Sequence, residues 1–245
     1  MAQQVSSAAL SDRDLWHPPQ IGGQLVALRR PVATDLPSVV HWYRDPEIAR
    51  LTRYQTRQMS QAEIERFFQV RMLAPDALAY SIVEQPTWRL IGFTTFSALD
   101  GDNGSVMFHI TIGERDAWGR GLGTEATQLM LGHAFERLGM HRVGLTVFSY
   151  NTRAIRAYEK AGFRFEGRLR EAIQRDQRYF DEVQMGILAE EWLTARYGRN
   201  ASHDPCDVRG RMGRSGRRLG PRVVTGEPRS RVGTTTKRAR EHRPS

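Results

Sequence analysis

The chain has 245 residues, 40% of them apolar and 26% charged, with 22 Gly and 11 Pro, a composition that excludes collagen-like, low-complexity and wholly disordered classes. Its single cysteine, Cys206, excludes an intrachain disulfide framework and a zinc site built on several cysteines, so a reducing compartment, the cytoplasm, is expected. The formal charge of +9 is uneven: residues 201–245 hold twelve Lys and Arg against four Asp and Glu, leaving the rest of the chain nearly neutral.

No apolar run approaches the ~18 residues of a membrane-spanning helix, and the opening residues lack the basic start and apolar stretch of a signal peptide. A soluble, unexported protein with no membrane partner is expected. Residues 1–23, with Pro18, Pro19, Gly22 and Gly23, read as a flexible segment, and residues 24–195 as one domain. Residues 196–245 read as a disordered Arg/Gly-rich tail, because residues 201–245 contain no Phe, Tyr or Trp with which to offset the entropy of ordering. Such a tail either contacts RNA electrostatically or is a solvated extension without function.

Within the domain, strand and helix patterns alternate, which predicts a mixed α/β fold. Gln24 to Arg29 reads as the first strand. Helical patterns follow over Thr34 to Thr52, with an N-cap at the Ala33-Thr34-Asp35 turn, and over Ser60 to Leu73, where Ser60 and Glu63 form a capping box. Leu78 to Glu84, Trp88 to Ser97 and Ser105 to Gly113 predict an antiparallel meander, its last turn at Asp100 to Gly104. A helix from Thr124 carries Leu131, Ala134, Phe135 and Leu138 on one face and ends at Gly139. Val143, Leu145 and Val147 alternate as the fifth strand, Asn151 caps a short helix that stops at Gly162, and Phe163 to Leu169 and Val183 to Leu188 close the sheet.

The chemistry is concentrated between the fourth strand and the following helix, where Trp118-Gly119-Arg120-Gly121-Leu122-Gly123-Thr124 sets three alternate glycines at a helix start. Glycines let the backbone approach a ligand closely, and the unpaired N–H groups and dipole of a helix N-terminus favour an anion, so this is a phosphate cradle or a plain turn. Arg120 offers a direct charge contact. The spacing does not fit a P-loop, which needs Gly-Lys-Ser/Thr, nor a dinucleotide loop, which needs a glycine where Thr124 stands.

The cradle, followed by Asn151-Thr152-Arg153-Ala154-Ile155-Arg156-Ala157-Tyr158-Glu159-Lys160-Ala161-Gly162-Phe163 and Glu166-Gly167-Arg168-Leu169-Arg170, resembles the acetyl-coenzyme A site of the GNAT superfamily of N-acetyltransferases. It is most similar to the branch of ribosomal-protein N-terminal acetyltransferases and spermidine acetyltransferases, over roughly Gln24 to Leu193. The resemblance implies a mostly antiparallel sheet whose fourth and fifth strands splay apart around acetyl-CoA. The pyrophosphate would lie on Trp118, Gly119, Arg120, Gly121, Leu122, Gly123 and Thr124. Trp118 stands where the family usually has Gln or Arg, which leaves that contact to the backbone. The backbone of Ile110, Thr111 and Ile112 would pair with the pantetheine amides, and Asn151 would touch the coenzyme as well as capping its helix.

Tyr158 matches the family tyrosine that acts as general acid toward the departing thiolate, while its spacing from Ile155 also suits a core-facing pair. Some relatives carry a glutamate general base at the position of Thr146. That carry-over fails here and leaves His109, Glu114, Asp116 or a water relay to a more distant carboxylate. The resemblance implies acetyl transfer from acetyl-CoA to a primary amine without a metal, the acceptor being a protein N-terminus, a polyamine or another small amine such as an antibiotic. A homodimer is also in keeping with it. The alternative from another class is an RNA- or ribosome-associated protein that binds through its tail, with the body as a non-catalytic scaffold.

Overall fold

Strand β2 (Val26–Arg29) carries three wholly buried residues, Val26, Ala27 and Leu28, and seeds one end of an eight-stranded sheet. The computed structural model describes residues 21–55 and 57–198; the expected tail beyond 198 and the segment before 21 lie outside the described residues. Ile21–Gly22, expected in the loose N-terminal segment, forms a two-residue strand β1 paired with Ala27 and Leu28.

After β2 the chain makes a 3-10 turn at Ala33–Asp35 and enters helix α1 (Leu36–Arg44). Asp35 is buried, and its carboxylate is fully used. It accepts from Arg29 at 2.6 and 2.8 Å, from the Ser81 hydroxyl at 2.7 Å and from the Val32 N–H at 3.1 Å. The helical pattern over Thr34 to Thr52 is not one helix. Asp45 adopts extended backbone and accepts the N–H of Glu47 at 2.8 Å, and Pro46 opens a separate helix α2 (Pro46–Thr52). Asp45 is thus an N-cap and Pro46 the first helical residue, the position where its missing N–H costs nothing.

Helix α3 (Gln61–Phe68) starts with the expected capping box: the Ser60 N–H donates to Glu63 at 2.8 Å and the Glu63 N–H to the Ser60 hydroxyl at 3.3 Å. The meander follows as β3 (Ala79–Glu84), β4 (Arg89–Asp100) and β5 (Ser105–Ile112), and helix α4 (Leu122–Gly132) leads to β6 (Arg142–Phe148). Helix α5 (Thr152–Ala161) ends at Gly162, whose φ of +107° only glycine takes easily. The chain closes with β7 (Arg164–Arg175), β8 (Arg178–Leu188) and helix α6 (Ala189–Tyr197). The last two strands are longer than expected and join in a tight hairpin, with Asp176 and Gln177 both at positive φ.

The sheet order is β1-β2-β3-β4-β5-β6-β8-β7, and every neighbouring pair is antiparallel except β5 and β6. Strand alternation sorts side chains onto two faces. Val106 and Phe108, Val143, Leu145 and Val147, and Val183, Met185 and Ile187 join a core with Met130, Leu131, Tyr158 and Trp192 from α4, α5 and α6. On the opposite face Val39, Trp42, Ile48, Ile64 and Phe68 of α1 to α3 pack on Ala79 and Phe93. His109, Thr111, Thr146, Phe148 and Glu182 fall on this second face by alternation with the first set. Among the described residues no helix is long and apolar enough to cross a membrane.

Candidate active site

β5 and β6 are hydrogen-bonded neighbours only from Ser105 opposite Arg142 to Met107 opposite Gly144. Beyond that point they diverge, and the β5 backbone from Phe108 to Ile112 has no ladder partner on the β6 side. Unpaired backbone N–H and C=O groups need partners, so this edge is a ready receiver for an extended polar chain. A cleft of about 1110 Å³ occupies the gap and runs through the sheet. Phe108, Ile110, Ala154, Ala157 and Tyr158 line it from the α4/α5 face, and Tyr43, Arg53, Tyr54, Arg71, His109 and Thr146 from the other.

One end of the cleft is the glycine loop. Gly119 and Gly121 have φ of +75° and +84°, and open space surrounds a side chain at Gly119, so glycine is required here by backbone conformation rather than by crowding. Gly121 caps α4 without any side-chain hydrogen bond, leaving the first N–H groups of this 11-residue helix free to face a ligand. Of the positions expected to hold the coenzyme, Ile110, Thr111, Ile112, Trp118, Gly119, Gly121, Gly123, Thr124 and Asn151 line the cleft. Two others point elsewhere. Leu122 is buried in the core, and Arg120 donates to Glu84 at 2.5 Å, a carboxylate also held by Arg89 at 3.0 Å.

Trp118 donates its indole N–H to the Ile112 carbonyl at 2.8 Å, so it ties the loop to the splayed strand. Above its ring lies Arg153, a cleft-lining cation with no carboxylate within ion-pair distance among the described residues. Asn151 accepts the Ala154 N–H at 3.3 Å as the cap of α5.

Tyr158 is 8% exposed, its ring set edge-on to Phe108 and Phe163, yet its hydroxyl has no hydrogen-bond partner among the described residues and it lines the cleft. Burial pushes its pKa well above the ordinary phenol value, so the hydroxyl stays protonated as a donor. Of the candidate bases only His109 reaches the cleft. It shares a 2.6 Å hydrogen bond with Ser97, and desolvation within the cleft, with the Arg71 charge, lowers its pKa and so favours the neutral imidazole. Glu114 instead accepts from the Trp42 indole at 2.8 Å and Asp116 from Arg89 at 2.8 Å.

Two further cleft groups, Tyr54 and Arg53, carry no sequence signature of their own. Tyr54 donates to the buried carboxylate of Glu182 beside Phe148, and burial together with that bond raises the Tyr54 pKa. Arg53 follows α2. Arg153 did leave a sign, since a cation in the first turn of a helix works against the dipole and calls for another reason to be there.

Residues 26–164 match the family model described as the acetyltransferase (GNAT) domain. The chain belongs to the GNAT acetyltransferases. It is 26% identical over 169 residues to the uncharacterized N-acetyltransferase p20 of Bacillus licheniformis, spanning 68% of this chain and 94% of that one. It is 30% identical over 112 residues to the spermidine N(1)-acetyltransferase of Vibrio cholerae, 46% of this chain and 64% of the relative. Among solved structures, spermidine N-acetyltransferase from Vibrio cholerae in complex with CoA and spermine aligns with TM-score 0.62 and 24% identity over 69% of this chain and 98% of that one. A GNAT acetyltransferase from Bacillus anthracis aligns with TM-score 0.61 and 21% identity, again over 69% and 98%. The GNAT fold, with its splay here between β5 and β6 because β1 precedes the expected first strand, is therefore that of an acyltransferase using acetyl-CoA.

Proposed function

We propose that this GNAT domain transfers acetyl from acetyl-CoA to a primary amine in the cleft between β5 and β6, with Tyr158 as the group that meets the departing sulfur. The observation that carries the reading is Tyr158, a buried side chain whose hydroxyl has no partner among the described residues and which lines the cleft beside a strand edge unpaired on its β6 side. The uncapped start of α4 suits the pyrophosphate, the free edge of Ile110 to Ile112 suits the pantetheine amides, and Asn151 and Arg153 flank the same route.

The neutral amine attacks the thioester carbonyl carbon; the C–N bond forms, the C–S bond breaks, and the electron pair leaves on sulfur. Holding the two reactants on opposite faces of one gap makes the step effectively unimolecular. A phenol at its reference pKa of about 10 is a weaker acid than a thiol at about 8.5, so full transfer from Tyr158 to the thiolate runs uphill. Burial raises the Tyr158 value further, so Tyr158 keeps its proton and acts as a hydrogen-bond donor to the developing negative charge. The proton released by the acetylated amine completes the thiol. An acceptor with an α-amino group, of pKa about 8, is the easier to present in neutral form.

Titration calorimetry of the full chain with acetyl-CoA, and with CoA as control, tests this. Micromolar binding that Gly121→Glu abolishes, by placing a carboxylate in the cradle, is the expected result. No binding by the intact protein overturns the reading.

A further inference from the structure

The amine half of the cleft is lined by the wrong charges for a polyamine. Of the charged residues that line the cleft, Arg153, Arg156 and Lys160 come from α5, and Arg53 and Arg71 from the other face beside His109, whereas Asp76 is the single carboxylate among the described lining residues. Arg53 and Arg71 lie toward the α1–α3 face with His109 and Thr146, across the gap from Tyr158. Neither makes an ion pair within 4.0 Å among the described residues, although eleven such pairs are present elsewhere in the domain.

Arg53 is the sharper case. Its Nε and Nη1 are buried and have no hydrogen-bond partner, while its guanidinium sits 5.8 Å from the Tyr43 ring centroid. The only other such atom among the described residues is Nε of Arg175, whose two remaining nitrogens donate to the carbonyls of Gln174 and Arg53. A guanidinium cannot shed its charge to escape this, and buried N–H groups left unpaired are costly. The fork of donors matches a carboxylate in two parallel hydrogen bonds.

We infer that Arg53, supported by Arg71, is the subsite for an acidic group on the acceptor, and that the acceptor is a primary amine carrying a carboxylate rather than a polyamine. This rests on the proposed acetyl transfer and narrows it. Spermidine, named in several relatives, is a polycation at neutral pH and would bring its charges against these arginines with Asp76 alone to offset them. An amine with a carboxylate supplies the missing partner to Arg53 while its nitrogen points through the gap to the thioester.

The test measures thiol release from acetyl-CoA by the full chain. Acceptors are a series of unbranched amino acids of increasing length, the corresponding amino amides, short peptides with an acidic or an amide side chain at the second position, and spermidine. The expected result is a preference of at least about tenfold in kcat/KM for a carboxylate over its amide, carried by KM, in either the free amino acids or the peptides; which series shows it identifies the source. Arg53→Gln compresses that ratio toward one, and Arg53→Lys, which keeps the charge and loses the fork, restores part of it. Thermal melting and acetyl-CoA calorimetry on each variant separate a lost subsite from a lost fold. Acetyl-CoA binding with spermidine preferred, with no carboxylated amine acetylated, or with equal loss on all acceptors in Arg53→Gln overturns the subsite alone; absence of acetyl-CoA binding overturns the transfer reading with it.

Discussion

The guanidinium carbon of Arg153 lies 3.6 Å from the centroid of the Trp118 ring, so the first turn of α5 is clamped onto the glycine loop. Both line the glycine-loop end of the cleft, and the Trp118 indole is itself bonded to the Ile112 carbonyl. Arg153→Ala removes the cation and the stack together, and the expected cost is about tenfold in the acetyl-CoA dissociation constant, in line with about 1.5 kcal/mol for a lost charge-assisted contact to an anionic ligand. Calorimetry at two salt concentrations checks it; an unchanged constant would remove Arg153 from the donor site.

For Tyr158→Phe the expected loss in kcat is about a hundredfold, the lower end for removing one hydrogen-bond donor to developing negative charge. The native hydroxyl has no partner among the described residues, so its deletion leaves the ring packing on Phe108 and Phe163 intact. Steady-state turnover and a melting curve read the two effects separately, and a variant with full turnover excludes the hydroxyl from the reaction.

A methyl group at Gly113 would stand 2.0 Å from the Trp42 ring, which is fully buried and fixed by its bond to Glu114. Neither side can give way cheaply. Gly113→Ala is expected to destabilise the domain by about 1–3 kcal/mol or more, as overpacking does, and urea denaturation measures it.

Asp45 joins a cap to an ion pair: it accepts the Glu47 N–H at 2.8 Å and two donors of Arg115 at 2.5 and 2.8 Å. Arg115 first, then the cap N–H groups, hold its carboxyl below the usual range of about 3.9, while partial burial opposes them. The unfolded chain therefore binds this proton more readily, and the stabilisation is present above about pH 4 and fades as pH falls through the lower folded value. Asp45→Ala should lower stability by about 1 kcal/mol at neutral pH, chiefly through the cap. Melting curves should show the gap to wild type closing toward pH 2; a constant gap would mean the charge contributes nothing.

The glycine-loop half of the cleft was legible because it is local. Gly119, Gly121, Gly123, Asn151 and Tyr158 lie in two short runs whose spacing is dictated by one loop and one helix. The other half draws Arg53 with Tyr54, Arg71 with Asp76, and Ser97 from separate segments, and no periodicity links them before the fold brings them together. Side-chain direction was also hidden: Arg120, one residue from two cleft glycines, turns to Glu84, and Glu114 and Asp116 serve Trp42 and Arg89.

The missed boundaries have equally local causes. Val39, Trp42 and Ile48 keep an apolar face through the break at Asp45-Pro46, so periodicity ran on where capping chemistry said stop. In the β7–β8 hairpin most residues from Arg170 to Tyr179 are exposed, which leaves no buried alternation to read until Val183. Pairing there is set by the turn and by Ile173 opposite Phe180.

The carboxylate of Glu125, in the first turn of α4, accepts the backbone N–H groups of Gln24, Leu25 and Val26 at 2.8, 2.7 and 2.8 Å. The helix that begins at the glycine loop is thereby stitched to the first long strand of the domain. A coenzyme bound at the loop as proposed would quiet that seam, and deuterium uptake at residues 24–26 is then expected to slow as the site fills, a remote gauge of its occupancy.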